Sequence, residues 1–471
     1  MRQFSSLRPL SRSLPVSRLS RGINTTRATK TTLVPPVSSL HTPTPNGVKP
    51  ANYLESLSNR ILFNYACIGL VTLNKPILNL VIKAFPLVPM SVIDFFIGKI
   101  YCGGSTPEQT IATGTELSKR GINNMMLSYT VEDAEGIKNI NIDDLVKQTA
   151  DSIDNILKPH IINQIESGKE AINDIPPGYL ALKPSALVAD PANVLLNYNN
   201  PAWADKWQTL NDDCAKITEQ IDRLNNELLA KYPQRKSPFF VSVIDAEKYA
   251  LQQGVYVLQR NLFKRFNRPD GFTQVVGTVQ MYLKQGMDII KLEEKLAKEG
   301  NYRVGLKLVR GAYIHSEPDR SVIHDTKEDT DVAYNTGIKY VLDSLSKDPT
   351  HSVLGHLVVA SHNADSQKYA TDVLASSSND VTFKSNVVLG QLLGMCDDVT
   401  FELINNHGVK NIIKYVPWGP PIETKDYLLR RLQENGDAVR NDNGWPLVKN
   451  VLKVFKDRVF GKPQTVSVTT K

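Results

Sequence analysis

Four cysteines in 471 residues, none in a CxxC pair, supply neither a disulfide framework nor a zinc ribbon. Cys67, Cys102, Cys214 and Cys396 stand far apart and suit a reducing compartment. GxGxxG, GxxxxGK[ST] and HExxH are all missing. A flavin or nucleotide, if bound, is therefore not held by a Rossmann turn or a P-loop, and a zincin site is excluded. Long apolar runs are missing too. The most apolar stretch, 51–99, is interrupted at Asn64, Asn74, Lys75, Pro76, Lys83, Pro86 and Asp94, short of the roughly 20 residues a membrane span needs. That leaves helices packed on the main domain, or an apolar surface seated in a membrane interface.

Acid is absent from the first 54 residues, where six Arg and two Lys precede the first carboxylate, Glu55. Those eight positive charges against a net +7 leave the rest of the chain at about −1, so nothing calls for nucleic acid. The opening MRQFSSLRPLSRSLPVSRLSRG is rich in Arg and Ser and punctuated by Leu and Phe. Such composition is expected of a mitochondrial transit peptide, and it lacks the continuous apolar core of a secretory signal. Residues from Thr25 to Pro50 are rich in Thr, Pro and Ser and read as a linker. The expected domains are a transit peptide and linker (1–50), an apolar helical arm (51–120), a main domain (121–440), and a helical tail with a disordered end (441–471).

From Gly121 onward, β-branched and aromatic runs alternate with amphipathic ones. Strands are predicted at Asn124–Tyr129, Tyr179–Lys183, Phe239–Asp245, Gln274–Tyr282, Arg303–Val309, Leu357–His362, Val387–Leu392 and Asn411–Val416. Between them, helices are predicted at Val146–Ile165, Ala246–Phe266, Lys284–Lys298 and Asp331–Leu345. Eight βα repeats point to a (β/α)8 barrel with the arm before it. Between Asp190 and Lys236 the pattern lapses. A polar loop is expected there, followed by an exposed helix over Ala215–Leu229 that serves as the second barrel helix.

The stretch YVPWGPPIETKDYLLRRLQENG, Tyr415 to Gly436, ends the last strand and breaks at Pro417, Gly419, Pro420 and Pro421. Its helix is expected to start near Glu423 or Thr424 and stop at Asn435-Gly436. Tyr427, Arg430, Arg431 and Glu434 fall at i, i+3, i+4 and i+7, one face of that helix. Two guanidiniums beside an aromatic make a carboxylate clamp that lysine cannot copy. The plain alternative is a solvated face with ordinary ion pairs. Barrel sites gather where strands end. There stand Lys183 (LALKPSA), Asp245 (VSVID), Gln280 and Tyr282, then Arg310, Gly311 and Tyr313, then His362 and Asn363. Each alone reads as a satisfied loop residue, and the informative feature is their convergence on one rim.

Two long motifs in order, LKLVRGAYIHSE (Leu306–Glu317) and Y-V-P-W-G…Y-L-x-R-R-L-x-E-N, resemble those of the proline dehydrogenase family, and the likeness runs from about Met125 to Gly436. The resemblance implies an FAD-dependent (β/α)8 barrel of distorted TIM type, its last helix over the mouth, that oxidises L-proline to 1-pyrroline-5-carboxylate by hydride transfer to flavin N5. It implies that Lys183 is the active-site lysine, with Asp245 the acidic residue beside it. Gln280, Arg310, Gly311, Ala312, Ser361, His362 and Asn363 would contact FAD, with Thr326 nearby. Lys307 would lie under the isoalloxazine, where some members carry Arg. Tyr313 would enter the substrate pocket, and Leu392, from GQLLGM, would be an apolar wall. Arg430 and Arg431 would pair with the substrate carboxylate, Tyr415 and Tyr427 would wall the ring, and Glu434 would pair with the arginines or face the cofactor. Trp418 and the stiff Pro420-Pro421 pair depart from the usual pattern.

No strong base is required if the neutral amine reacts; Asp245 is the candidate for residual proton transfer. A membrane quinone is the expected electron acceptor, with peripheral association at the matrix side of the inner membrane. A folate-reducing barrel flavoenzyme is disfavoured by the paired arginines. A hydroxyproline dehydrogenase is disfavoured by the bulk of Tyr415. A non-catalytic scaffold is disfavoured by the retained Lys183, Tyr415, Arg430, Arg431 and Glu434.

Overall fold

Eight parallel strands close into a barrel in sequence order: β1 (Asn124–Tyr129), β2 (Gly178–Leu182), β3 (Phe240–Ile244), β4 (Val275–Gln280), β5 (Val304–Val309), β6 (Leu354–Ala360), β7 (Val387–Leu392) and β8 (Ile412–Trp418). Six residue pairs, from Asn124↔Ile413 to Tyr129↔Trp418, seal it. This computed structural model describes residues 53–130, 141–376, 380–441 and 445–460, with side chains undescribed at 434–441, 445–447 and 459–460. The chain divides after Val48, and all described residues lie in the second unit. The expected transit peptide and linker (1–50) and the last residues of the tail lie outside the described residues.

The strands are apolar because both their faces are covered. In β5, Val304, Leu306 and Leu308 join the core between strands and helices, so by alternation Gly305 and Lys307 face the barrel interior. A Cβ on Gly305 would meet Val275 O and Val276 Cγ2 at 2.7 Å, which is why no side chain stands there. The interior is filled by Met126, Tyr179, Val243, Val276, Val358 and Ile413, among others. At its floor the Tyr179 hydroxyl meets His356 Nε2 at 2.8 Å, and His356 Nδ1 lies 3.2 Å from Asn386 Oδ1. Buried Arg235 donates to the carbonyls of Ser237 (3.1 Å) and Ile175 (2.7 Å), tying the chain beneath the barrel.

Several expected boundaries change for physical reasons. Lys183, Asp245, Tyr282 and His362 lie just beyond their strands, because the chain leaves the ladder where polar side chains turn to the mouth. The last strand passes through Pro417 instead of breaking there. Its pairing with β7 ends at Tyr415 while that with β1 continues, so the missing N–H costs no ladder bond. The expected exposed helix is α5 (Ala204–Lys231), an amphipathic helix burying Cys214, Ile217, Ile221, Leu224 and Leu228 on the core. Within the remaining 190–203 segment, Pro191–Leu196 is a short helix rather than loop.

Before the barrel, α1 (Asn59–Leu73) and α2 (Lys75–Ala84) meet at a bend of 109°. Asn74 encodes the bend: it ends α1, and its Oδ1 caps α2 by accepting from Ile77 N at 3.2 Å, with Pro76 in the first turn. No single helix among the described residues is long and apolar enough to cross a membrane. The helix α3 (Pro107–Ser118) leads into β1. Around the barrel run α4 (Ile142–Ser152), α6 (Tyr249–Phe266), α7 (Gly286–Gly300), α8 (Lys327–Lys347), α9 (Ala364–Ser376) and α10 (Asp397–His407).

The last two helices are α11 (Pro421–Asn441) and α12 (Trp445–Phe460). α11 starts earlier than expected and runs through Asn435-Gly436. Pro421 is pre-set for a first helical turn, and one interior glycine costs only about 1 kcal/mol. Tyr427, Leu428 and Leu432 of α11 pack with Leu78, Phe85, Ile97 and Ile100, so the arm holds α11 in place.

Candidate active site

Three strands converge on one carboxylate. Asp245, just past β3, takes an ion pair from Lys307 of β5 on Oδ1 and a 2.9 Å hydrogen bond from the Tyr415 hydroxyl of β8 on Oδ2. The Lys307 ammonium also lies 5.8 Å from the centroid of the Tyr415 ring. Both Lys307 and Tyr415 face inward by strand alternation, so sequence parity alone aims them at the mouth. Lys183, the residue after β2, lines a narrow cleft with Tyr129, Leu145 and Thr149.

The β4–β6 side of the rim is polar and cross-tied. Gln280 Nε2 donates to Glu247 O at 2.7 Å, and its Oε1 accepts from the Tyr282 hydroxyl at 2.9 Å. Glu247 Oε1 accepts from Ser185 N at 3.2 Å, and Glu317 Oε1 accepts from Tyr249 N at 2.9 Å and lies 2.8 Å from the Tyr282 hydroxyl. The Tyr313 hydroxyl donates to Ala246 O at 3.2 Å. Burial, then Glu317, push the Tyr282 phenol far above its usual range. Glu247 and Glu317 thus knit together the loops that carry Lys183, Asp245 and Tyr313. Sequence reasoning passed them over, although Glu247 stands two residues after Asp245 and Glu317 ends the LKLVRGAYIHSE motif.

Arg310 pairs with Asp331 of α8, which also takes Lys327 at 3.2 Å and Asn363 Nδ2 at 3.4 Å. Gly311 and Ala312 follow in the partly open loop. Thr326 caps α8, its Oγ1 accepting from Asp329 N at 3.0 Å. Ser361 Oγ accepts from Asn363 N at 3.0 Å. His362 Nε2 accepts from Leu392 N at 3.1 Å, which a protonated nitrogen could not do. Burial, then the nearby Lys414 and Arg431, lower the pKa of this imidazole. His362 is exposed, and the Leu392 N–H donor fixes its neutral form. Leu392 ends β7, half-buried, on the inward-facing register.

On α11 the described members of the expected face differ in burial. Tyr427 and Arg431 are buried, with the Arg431 guanidinium 4.9 Å from the Tyr427 ring centroid. Arg430 is exposed, so the structure does not bring it onto their buried face. The side chain of Glu434 lies outside the described residues. Lys414 was missed altogether. It is fully buried behind β8, where Nζ donates to Gln391 Oε1 (2.7 Å), Thr400 Oγ1 (2.9 Å) and Met395 O (2.9 Å) and pairs with Asp397 at 2.8 Å. Arg120 holds the other oxygen of Asp397, also at 2.8 Å. Burial would raise the Asp397 pKa, but Lys414 and Arg120 hold it below the usual range. This knot fixes the loop bearing Cys396, whose thiol donates to His362 O at 3.3 Å.

The rim suits a flavin nucleotide. Lys307 and Arg310 provide cations for its anionic parts, and Gln280, Ser361, His362 and Asn363 provide neutral partners. His324, whose N–H donates to Tyr282 O at 3.0 Å, keeps a buried Nε2 without a protein partner. Among the described residues, no cluster of His, Cys, Asp or Glu is arranged to hold a metal ion.

A family model described as proline dehydrogenase matches residues 110–443. The chain belongs to the proline dehydrogenase family. It is 28% identical over 435 residues to mitochondrial proline dehydrogenase 1 of Dictyostelium discoideum, covering 87% of this chain and 70% of that one. A probable mitochondrial proline dehydrogenase of Schizosaccharomyces pombe is 29% identical, with 72% and 75% covered. The fold matches the crystal structure of proline utilization A from Bdellovibrio bacteriovorus inactivated by N-propargylglycine, with TM-score 0.56 at 16% identity. That match covers 89% of this chain and 42% of the longer bacterial one. Proline dehydrogenases are flavin-dependent oxidoreductases of proline catabolism, and the activity here is oxidation of proline to 1-pyrroline-5-carboxylate.

Proposed function

We propose that this proline dehydrogenase works on L-proline with FAD over the β4–β6 rim and delivers the electrons to a membrane quinone in the mitochondrion. The observation that carries the reading is Arg431. Only 8% exposed, it is held on α11 with its guanidinium 4.9 Å from the Tyr427 ring centroid, and its charge adds to the burial and Lys414 that lower the His362 pKa. A guanidinium placed there neutralises a substrate carboxylate away from the reacting carbon, and Lys183 and Arg430 are its assigned helpers. Tyr415, Tyr427 and Leu392 wall the ring, and Tyr313 closes the pocket beside them. Ring atoms held within roughly 3–3.5 Å of an acceptor need little further reorganisation.

When bound, the flavin supplies an acceptor for the hydride leaving the carbon next to nitrogen. Gln280, Lys307, Arg310, Gly311, Ala312, Ser361, His362 and Asn363 would hold it, with Thr326, Asp245 and Glu434 contributing at its edges. Because Asp245 is already engaged by Lys307 and Tyr415, its role is to fix those two groups, with proton transfer secondary. The bulk of Tyr415 favours proline over a ring-hydroxylated analogue.

Membrane association is supported by the arm. Phe63, Leu70, Ile77, Leu80, Leu87, Val92 and Phe95 are exposed there, and from Arg60 to Lys99 the basic residues Arg60, Lys75, Lys83 and Lys99 face a single acid, Asp94. Such a surface suits an anionic bilayer interface. The mitochondrial reading is supported by the acid-free first 54 residues and by relatives named mitochondrial. The deciding experiment is a visible spectrum of the purified protein under anaerobic conditions. A flavin band that bleaches on adding L-proline is expected; absence of flavin, or a band indifferent to proline, overturns the reading.

A further inference from the structure

Between the arm and α11 lies a cavity of about 190 Å³ that the proline site does not use. Met90 and Leu428 give it apolar walls, Ser91, Ser105 and Thr424 bring hydroxyls, and Asp94 is also among the lining residues. Drug-sized sites run to roughly 300–1,000 Å³, so this one takes a single substituted ring. Asp94 is the only formal charge among the lining residues, and an anion there repels a substrate carboxylate. A neutral ring bearing carbonyl acceptors fits instead, since serine hydroxyls can donate to them.

Two observations connect the cavity with the barrel mouth and with the apolar surface. Gly103 N donates to Pro417 O at 2.8 Å, and Gly419 N donates to Gly104 O at 3.1 Å, stapling the segment beside Cys102 to the end of β8. Cys102 of the lining packs in one apolar cluster with Tyr427, and the Arg431 guanidinium lies 4.9 Å from the centroid of that ring. On the other side, Ser91 and Pro421 are chain neighbours of Val92 and Ile422, which are 43% and 79% exposed, and Leu87, 86% exposed, lies three residues before Met90.

We infer that this cavity is the seat of the quinone head group, reached from the apolar face of the arm. The inference rests on the quinone reading given above and assigns it a place. Oxidation of proline to 1-pyrroline-5-carboxylate releases two electrons and two protons, and a quinone that gains both becomes a hydroquinone. Ser91 and Ser105 donate to the quinone carbonyls, and Asp94 accepts from a hydroquinone hydroxyl. The lipid tail leaves past Leu87 and Val92.

The test uses the full-length, flavin-loaded protein and a short-chain ubiquinone. Ser91→Phe fills the cavity from an exposed position. It is expected to raise at least tenfold the quinone concentration giving half-maximal reoxidation in stopped flow. Anaerobic bleaching by L-proline should stay within twofold of the parent. Independently of that variant's folding, an azido-ubiquinone photolysed with the unaltered protein should label peptides spanning 90–105 or 421–428, in competition with unlabelled quinone. Labelling elsewhere, or a quinone dependence unmoved by Ser91→Phe, overturns the site. If quinone does not reoxidise the reduced parent protein at all, the acceptor reading falls together with the site.

Discussion

The Tyr415 hydroxyl stands 2.9 Å from Asp245 Oδ2, joining the last strand to the end of the third. Lys307 occupies the other oxygen of the same carboxylate. Tyr415→Phe keeps the ring wall but removes that donor. A hydrogen bond to a charged group contributes about 1.5–3 kcal/mol, so kcat/KM with L-proline should fall about 10- to 150-fold. Flavin content should hold, since the β4–β6 rim is untouched. Steady-state kinetics beside a flavin-to-protein ratio checks both halves, and unchanged kinetics would remove the Asp245 knot from the mechanism.

The barrel was legible because its eight strands are apolar runs separated by helical ones, and both faces of each strand are covered. What the sequence could not show is which way a polar residue turns. Lys414 reads as an outward, solvated lysine, and only α10 packing behind β8 makes it a buried cation for Asp397. The buried face of α5 was present as the spacing Cys214, Ile217, Ile221, Leu224 and Leu228, but the surrounding charge masked it. Arg430 and Arg431 differ by about 100° around a helix, and the arm packed on α11 decides which is buried. Local spacing therefore set out a polar face on this helix without fixing which of its residues are buried.

Acid should weaken the fold through His356. Asn386 Nδ2 donates to Thr382 O at 2.8 Å, so its Oδ1 accepts from His356 Nδ1–H, which leaves Nε2 to accept from Tyr179. That imidazole is therefore neutral, and burial pushes its pKa down to about 4. Unfolded, it titrates near 6.5. Its contribution is complete above about pH 6.5 and is lost as pH falls toward 4, because only the unfolded chain takes up the proton. At pH 5 the loss is about 2 kcal/mol. Denaturant melts at pH 7 and pH 5 should show a smaller acid effect in His356→Gln than in the parent; equal effects would clear His356.

The acid-free start predicts import. A reporter fused after residues 1–50 should enter mitochondria, and replacing Arg8, Arg12 and Arg18 by Gln should reduce entry severalfold. Imaging with fractionation decides it, and a reporter that stays cytosolic would remove the targeting assignment.

Burial separates the two neighbouring arginines of α11. Arg431 is 8% exposed and lies over the Tyr427 ring, whereas Arg430 is exposed. If Arg431 is the principal partner of the substrate carboxylate, Arg431→Met leaves that anion short of a buried cation. Losing one member of such a pair costs roughly 2–5 kcal/mol, or about 30- to several-thousand-fold in kcat/KM. Arg431→Lys keeps the charge without the fork and should recover only part of the loss. Arg430→Met, at an exposed position, should cost less than either. Flavin content should change little in all three, because Gln280, Arg310 and His362 remain. Kinetics with L-proline ranks the variants. A larger loss at Arg430 than at Arg431 would mean that α11 turns about its axis when substrate binds, bringing the exposed guanidinium to the carboxylate. Near-normal kcat/KM in Arg431→Met would place the carboxylate site elsewhere on the rim.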